Sequence, residues 1–237
     1  MEDLSKYGGT IVGAGKGNFV GGVEIPKGTR IDVVSQKTNN IVIDKHGNSF
    51  EVITLENGET AYLPADVFEG KQVPVRSLDF LKPDGTIDWP PAGSDGFVLD
   101  EFGNPITEPA NLKAGQLIDR YGSNGGRFTS PLENGQKLAY DTRGLPYPES
   151  YQPYHQYEVV KDINLKNVKS GYELLSERDK AVLTKLMLDR NFTLEDMANP
   201  QKGKIAKVFG QGGGIQIQFG TSVAWYEKMG LLKEVIE

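Results

Sequence analysis

Residues 209–219, with the sequence FGQGGGIQIQF, join a glycine-rich turn to a segment in which polar and apolar residues alternate. Gln216 and Gln218 are two positions apart, a spacing that predicts a half-buried β-strand with both glutamines on one face. The three preceding glycines allow a backbone to approach a neighbouring group closely. We therefore expect this stretch to lie in a sheet and to present a carboxamide next to a flexible turn.

Local periodicity around this stretch predicts more strands than helices. Residues 207–214 are expected to return to strand and then to a glycine-rich loop. Apolar spacing predicts one solid helix over 177–189 and short helices over 194–198 and 222–229. Ser176 with Asp179, and Thr193 with Asp196, are typical of capping boxes. The further strands are expected at 116–121, 154–160, 215–219 and 231–236.

This order of elements favours an α+β fold, with an antiparallel β-sheet core and a few helices. A doubly wound nucleotide-binding fold would need regular βαβ units, and the chain has none. Residues 76–115, which are rich in Pro, Gly and Asp, indicate a long ordered loop or the entry to a second domain.

The first 75 residues are β-rich and glycine-rich, and they precede a larger domain expected over 76–237. Asn57 and Gly58 form a hairpin signal within them. Residues 13–18 fit neither dinucleotide-binding nor P-loop spacing, so they predict no phosphate loop. We interpret 1–75 as a small antiparallel linker or adaptor unit. Its strand-like runs lie at 23–25, 29–34, 40–43, 50–55 and 60–63.

Composition excludes several functional classes. The 237 residues carry a formal net charge of −6, which argues against nucleic-acid binding. The chain has no Cys and only two His, so disulfides, thiolate nucleophiles and multi-histidine zinc sites are excluded. No apolar run approaches the length of a membrane-spanning helix, and Met1 is not followed by a secretory signal pattern. We expect no metal in the site. Four loop carboxylates could bind a structural calcium ion, although such residues more commonly keep a protein surface soluble: Asp84, Asp88, Asp95 and Asp100.

Several short motifs follow one another in the second domain. They are DRYG at 119–122, GGRFTSP at 125–131, RGLP at 143–146, YHQYEV at 154–159 and FGQGGGIQ at 209–216. Together with Trp89 and the two prolines after it, this set resembles the catalytic domain of the tuberculosis necrotizing toxin family of NAD(P) glycohydrolases, which also includes fungal surface enzymes. The resemblance runs from Trp89 to the C-terminus. The chain departs from the family pattern in two places: Phe128 stands where some members have Tyr, and residues 172–204 are expected to be a helical insertion. The first 75 residues lie outside the resemblance.

The residue types suit cleavage of the nicotinamide–ribose bond. Nicotinamide leaves as a neutral ring, so no general acid is needed, unlike in an ordinary glycosidase. We expect Arg120 and Arg143 to bind the diphosphate through charge-assisted hydrogen bonds. Gln216 is expected to orient water or ribose and to face developing positive charge. The other expected substrate-binding residues are Tyr121, Phe128, Gly212, Gly213 and Gly214.

The resemblance also implies a functional His155, and each assignment has a simpler structural alternative. The arginines could form surface ion pairs, and Tyr121, Phe128 and His155 could belong to the core or to a strand. Arg127 is left open between a salt bridge and a site role. Gln218 shares the face of Gln216 and is the residue against which Gln216 must be tested.

The function implied by the resemblance is a toxin-type NAD(P) glycohydrolase that yields ADP-ribose and nicotinamide and depletes the NAD of a target cell. NAD or NADP is then the substrate, and no cofactor is expected. The resemblance further implies delivery into the target cytoplasm as the C-terminal part of a larger toxin, with a cognate immunity protein that blocks the cleft. The alternatives are an ADP-ribosyltransferase, which usually needs a glutamate near the glycine-rich loop, and a non-enzymatic binding module.

Overall fold

The computed structural model of the chain describes residues 11–12, 18–20, 23–25, 41–68 and 71–235. Backbone contacts divide the chain into two compact units. The first comprises Met1–Trp89 with Leu145–Tyr151, and the second comprises Pro90–Gly144 with Gln152–Glu237.

The first unit extends beyond the boundary expected after residue 75. Residues 76–89 remain with it, and Nδ2 of Asn48 donates to the Pro83 carbonyl at 3.0 Å. In addition, Nη2 of Arg76 donates to the Leu145 carbonyl at 2.8 Å. The role of residues 1–75 as a linker or adaptor stays a prediction.

The described strands of the first unit form two antiparallel sheets. The strands are β1 (Ile11–Val12), β2 (Asn18–Val20), β3 (Val23–Ile25), β4 (Ile41–Ile43), β5 (Ser49–Thr54), β6 (Thr60–Phe68) and β7 (Lys71–Val75). Their orders are β1-β2-β3 and β4-β5-β6-β7. The predicted hairpin at Asn57 joins β5 to β6, with Gly58 in the left-handed region at φ 82°. The strand expected at 29–34 and most of the glycine segment 13–18 lie outside the described residues.

The second unit is built on one seven-stranded antiparallel sheet with four helices, so the predicted α+β architecture is confirmed. The strands are β8 (Glu108–Pro109), β9 (Leu117–Tyr121), β10 (Phe128–Pro131), β11 (Tyr154–Val159), β12 (Gln201–Lys204), β13 (Ile215–Gln218) and β14 (Leu232–Val235). The helices are α1 (Leu165–Glu173), α2 (Glu177–Arg190), α3 (Leu194–Met197) and α4 (Val223–Lys228). The sheet order is β14-β11-β9-β10-β13-β12-β8, which places β9, β10 and β13 side by side near its centre.

Helices α2, α3 and α4 confirm the predicted ones, and their starts follow from capping. The side chains of Ser176 and Thr193 accept hydrogen bonds from the backbone N–H groups three residues later, as expected. Helix α1 was not predicted. It contains Gly171, where a Cβ would lie 2.7 Å from the Met229 carbonyl oxygen, so close helix packing explains a glycine that weakens the sequence signal.

The strand expected within 207–214 is wrong. The strand lies earlier, as β12, and the chain from 205 to 214 is loop with Gly210, Gly212 and Gly213 in positive-φ conformations. Positive φ at several positions is incompatible with a regular strand, so the glycines end the strand pattern here.

The hydrophobic core lies between one face of the seven-stranded sheet and the helices. The ring of Tyr226 is fully buried there, and its hydroxyl donates to the Met197 carbonyl at 2.8 Å and accepts from the Gly220 N–H at 3.3 Å. The other core residues include Ile118, Tyr157, Val159, Val168, Leu183, Met197, Ile217 and Met229.

None of the described helices is long and apolar enough to cross a membrane.

We predict that Tyr226→Phe lowers the free energy of unfolding by about 1–3 kcal/mol, because two backbone groups lose a buried partner. Burial also raises the pKa of Tyr226. Its contribution is therefore present below pH ~10 and is lost as the pH rises further, where the unfolded chain releases the proton first. Urea denaturation at pH 7 and pH 10.5 measures both effects.

The matched control is Tyr172→Phe, whose hydroxyl bonds only the exposed Thr184 hydroxyl. An equal loss of stability in the two variants would contradict the assignment of Tyr226 as a buried anchor.

Candidate functional site

Strand register divides the predicted site residues between two opposite faces of the sheet. Side chains alternate along a strand, and directly paired residues share a face. Arg120 pairs with His155, whereas Asp119 pairs with Ser130 and Gln156. We call the side packed on the helices the helix face and the other side the polar face. The polar face carries Asp119, Tyr121, Phe128, Ser130, Tyr154, Gln156, Gln216 and Gln218.

Arg120 lies on the helix face and holds the turn between β9 and β10. Its Nε donates to the Gly122 carbonyl at 3.2 Å, and its Nη1 donates to the Phe128 carbonyl at 2.9 Å. A Cβ on Gly126 would lie 2.7 Å from the Arg120 Cζ, so the guanidinium fills the space that this glycine leaves. Burial lowers the pKa of Arg120. The structure therefore gives this arginine backbone partners on the face opposite to Gln216.

Arg143 lies on the polar face but is buried and neutralised. Its two terminal nitrogens each donate to a carboxylate oxygen of Asp119 at 2.7 Å, and Asp119 is 0% exposed. Tyr154 donates its hydroxyl to the same carboxylate at 2.9 Å, and the Arg143 guanidinium lies 5.1 Å from the centre of the buried Tyr121 ring. The predicted convergence of Arg120, Arg143 and Gln216 around one ligand is not found in this arrangement.

His155 lies on the helix face, as its pairing with Arg120 requires. Its Nδ1 is 2.6 Å from a carboxylate oxygen of Glu234, and its ring stacks on Tyr157 with the ring centres 6.2 Å apart. The structure therefore separates His155 from Gln216 by the thickness of the sheet.

The glycine triplet is explained by chain packing. A Cβ on Gly212 would lie 2.7 Å from the Ala206 carbonyl oxygen, and one on Gly214 would lie 2.7 Å from the Thr142 carbonyl oxygen. The N–H of Gly213 donates to the Ile205 carbonyl at 2.7 Å. These glycines let the loop lie directly against two other backbone segments.

Asp95 joins the residues that the structure does bring together. Its Oδ2 accepts from Nε2 of Gln218 at 2.7 Å, and its backbone carbonyl accepts from Nε2 of Gln216 at 2.9 Å. Its Oδ1 accepts from Arg127 at 3.0 Å, and the Arg127 guanidinium lies 5.2 Å from the centre of the Phe128 ring. One aspartate thus gathers both predicted glutamines, one arginine and one aromatic ring.

This network fixes the orientation of both carboxamides. A carboxylate and a carbonyl only accept hydrogen bonds, so each glutamine must turn its NH₂ group towards Asp95. The Oε1 atoms of Gln216 and Gln218 are then directed away from Asp95, and within the described residues neither accepts a hydrogen bond. Two carbonyl oxygens are therefore available on the polar face as acceptors for a ligand.

A cleft of about 800 Å³ opens beside this cluster. Its volume falls within the usual range for small-molecule sites. Its lining includes Arg127, Phe128 and Gln218 together with residues of α2, α3 and β12. A second cavity of about 950 Å³, lined mainly by aliphatic residues such as Ile118 and Ile217, contains none of the predicted site residues. The remaining residues of the first cleft are Gly125, Gly126, Arg190, Asn191, Phe192, Asp196, Asn199, Gln201, Phe219, Gly220, Thr221 and Ser222.

Sequence reasoning missed three residues in this region. Asp95 was considered only as a solubilising or calcium-binding carboxylate, because nothing in its Gly-rich turn links it to residues 216–218. Asp119 begins the DRYG motif, which was a usable signal. Arg190 lies in the helical insertion and matches no motif. Among the described residues no group of three or more His, Asp or Glu is placed to hold a metal ion.

Comparison with known proteins confirms the resemblance inferred from the sequence. Residues 111–173 match the family model of tuberculosis necrotizing toxin. Over 92 residues the chain is 38% identical to the conidial surface nicotinamide adenine dinucleotide glycohydrolase of Aspergillus fumigatus, a match that covers 35% of this chain and 36% of the relative. The chain thus spans about a third of the length of this curated relative.

The family match includes Arg120, Arg127, Phe128 and His155 and ends before Gln216. Among solved structures, the atomic structure of tuberculosis necrotizing toxin complexed with its immunity factor aligns with a TM-score of 0.39 and 19% sequence identity, over 65% of each chain.

We predict that Arg143→Ala lowers the free energy of unfolding by about 3–5 kcal/mol, because it leaves the Asp119 carboxylate buried without its partner. Urea denaturation followed by circular dichroism measures the change. Arg127→Ala is the control, since its ion pair with Asp95 is partly exposed, at 42% and 27% of the two side chains, and contributes about 1 kcal/mol or less. Equal stability of Arg143→Ala and the parent would show that the buried pair is not the anchor described above.

Proposed function

We propose that the second unit hydrolyses the nicotinamide–ribose bond of NAD, and of NADP, in the cleft beside Gln218 and Phe128. The observation that carries this proposal is the pair of carboxamides oriented by Asp95. The identity with a fungal NAD glycohydrolase over 92 residues supports the choice of substrate. The match to the toxin family over residues 111–173 supports the same reaction class.

The reaction does not require a side chain that donates a proton to the leaving group. The bond between C1′ and the ring nitrogen breaks with both electrons passing to the nitrogen, which cancels its positive charge. Water then forms a bond to C1′ and loses a proton to solvent, giving ADP-ribose and neutral nicotinamide. No general acid is required, in contrast to the hydrolysis of ordinary glycosides, whose leaving oxygen needs a proton.

The glutamines supply what the reaction does need, which is stabilisation of developing positive charge. The carbonyl end of a carboxamide is the negative end of its dipole, so an Oε1 atom near C1′ favours an oxocarbenium-like centre. Because Asp95 holds the NH₂ ends of Gln216 and Gln218, their dipoles are oriented before substrate arrives. Preorganised dipoles stabilise a transition state without reorganising as it forms.

Phe128 offers a flat surface for the nicotinamide ring at the edge of the same cleft. Arg127 fixes this arrangement, since it contacts both the Phe128 ring and the Asp95 carboxylate. We propose that Arg120, Arg143 and His155 build the frame that carries these residues, because their polar groups are engaged by Phe128, Asp119 and Glu234 respectively.

Transfer of ADP-ribose to a protein is the alternative outcome of the same bond cleavage. That class usually positions its acceptor with a glutamate. The carboxylate among the residues lining the cleft is Asp196, which caps α3 by accepting from the Thr193 N–H and hydroxyl. Hydrolysis is therefore favoured. Incubation with labelled NAD and mixed acceptor proteins separates the two, since hydrolysis leaves no label on protein.

We further propose that the activity depletes the NAD of a target cell and that an immunity protein protects the producing cell. A soluble NAD hydrolase threatens the cell that makes it, so an inhibitor that occupies the open cleft follows from the reaction itself. Delivery as part of a larger toxin belongs to the same proposal and rests on the family match over residues 111–173.

We predict that Gln216→Ala and Gln218→Ala each lower the turnover number about 10²-fold or more while the fold is kept, because each removes a preorganised dipole. Release of fluorescence from etheno-NAD measures turnover, and circular dichroism checks the fold.

Gln156→Ala is the matched control. Gln156 is a glutamine on the same polar face, but its NH₂ group donates to the Tyr154 hydroxyl at 3.0 Å and not to Asp95. Parent-like turnover in both Gln216→Ala and Gln218→Ala would remove the carboxamides from the mechanism. A comparable loss in Gln156→Ala would mean that the effect is general to this face of the sheet.

A further inference from the structure

The helical insertion contributes several of the residues that line the cleft, and the first of them lie at the end of α2. Asn191 takes the left-handed conformation at φ 50°, and its N–H donates to the Leu188 carbonyl. The next N–H, of Phe192, donates to the Met187 carbonyl at 3.1 Å. These bonds stop the helix just after Arg190, which lies in its last turn and is one of the residues that line the cleft together with Arg127.

Arg190 differs from the arginines of the sequence motifs in having no partner among the residues that the structure describes. Arg120 is bonded to backbone carbonyls, Arg143 is paired with Asp119, and Arg127 is paired with Asp95. Arg190 is exposed and makes no hydrogen bond or ion pair with any residue that the structure describes. Among the described residues lining the cleft, its positive charge is the one left unmatched.

Asp196 is the acidic residue that also lines the cleft, and among the described residues it forms no ion pair with Arg190. Its Oδ2 accepts instead from the N–H and the hydroxyl of Thr193 at 2.8 Å in the capping box. The carbonyl groups at the end of α2 favour a cation in the last turn, which accounts for a small contribution of Arg190 to helix stability. That contribution does not explain why the residue lies on the wall of a cleft.

We propose that Arg190 binds a phosphate group of the dinucleotide, so that the helical insertion determines how the substrate's anionic part is recognised. This inference rests on the proposed function and adds a specificity residue to it. A guanidinium forms two parallel, charge-assisted hydrogen bonds to a phosphate. A guanidinium without an ion pair in the protein can form these bonds without breaking an existing pair. The phosphate is either in the diphosphate, which NAD and NADP share, or at the 2′ position of NADP.

The test compares Arg190→Gln with Arg178→Gln. Arg178 is also exposed and lies in the first turn of the same helix, outside the cleft, so it controls for net charge. Turnover is measured with etheno-NAD, etheno-NADP and nicotinamide riboside, which has no phosphate. Binding of ADP-ribose and of ADP-ribose 2′-phosphate is measured separately by calorimetry. Arg190→Lys keeps the charge and tests whether the two-pronged guanidinium is needed.

We expect Arg190→Gln to raise KM about tenfold or more with an unchanged turnover number, and to weaken product binding to a similar extent. Nicotinamide riboside should be cleaved as by the parent. A loss with both dinucleotides assigns Arg190 to the diphosphate, and a loss with NADP alone assigns it to the 2′-phosphate. Unchanged binding and KM in Arg190→Gln, or an equal loss in Arg178→Gln, overturns the inference.

The two proposals fail in different ways. If the parent binds ADP-ribose through Arg190 but releases no nicotinamide from either dinucleotide, the hydrolase proposal fails and the phosphate site remains. If turnover is normal and Arg190→Gln behaves as the parent, the phosphate site alone is wrong. A parent that neither binds ADP-ribose nor cleaves NAD overturns both.

Discussion

The buried carboxylate of Asp119 is the fixed point of the seven-stranded sheet. It accepts two hydrogen bonds from Arg143 and one from Tyr154, so strands β9 and β11 and the turn before Arg143 are tied to one acceptor. The backbone of that turn, at residues 141–142, in turn accepts N–H groups from the glycine-rich loop at 212–214. An unpaired charge at such depth costs several kcal/mol, so these contacts depend on one another.

Guanidinium groups in this unit serve several distinct purposes. Arg120 closes a turn through backbone carbonyls, Arg143 neutralises a buried acid, and Arg127 links an aromatic ring to Asp95. Each of these charges is used wholly or partly by the protein itself. Among the residues that line the cleft, Arg190 is the described cation without a partner, and it is carried by a helix and not by the sheet. Under the proposal for Arg190, architecture and recognition are assigned to different elements.

Patterns within a few residues were sufficient to predict the strand of Gln216 and Gln218, the capped helices and the α+β class. They could not predict which side of the sheet each arginine occupies relative to that strand, because this depends on register between distant segments. The partner of Arg143 is 24 residues away, and Asp95 is more than a hundred residues from the glutamines it orients. The types of residue at the site could therefore be predicted from the sequence, but the partners that their side chains contact could not.

The close fit between Arg120 and Gly126 has an evolutionary consequence. No side chain fits at position 126 while the guanidinium occupies that space, so the two positions are expected to covary among homologues. The turn that they shape continues directly into Arg127 and Phe128. A homologue with another residue at this position would need different contacts to stabilise the turn, and the position of the Phe128 ring would change with the turn. Under the function proposed above, selection on Phe128 thus extends to residues that touch no substrate.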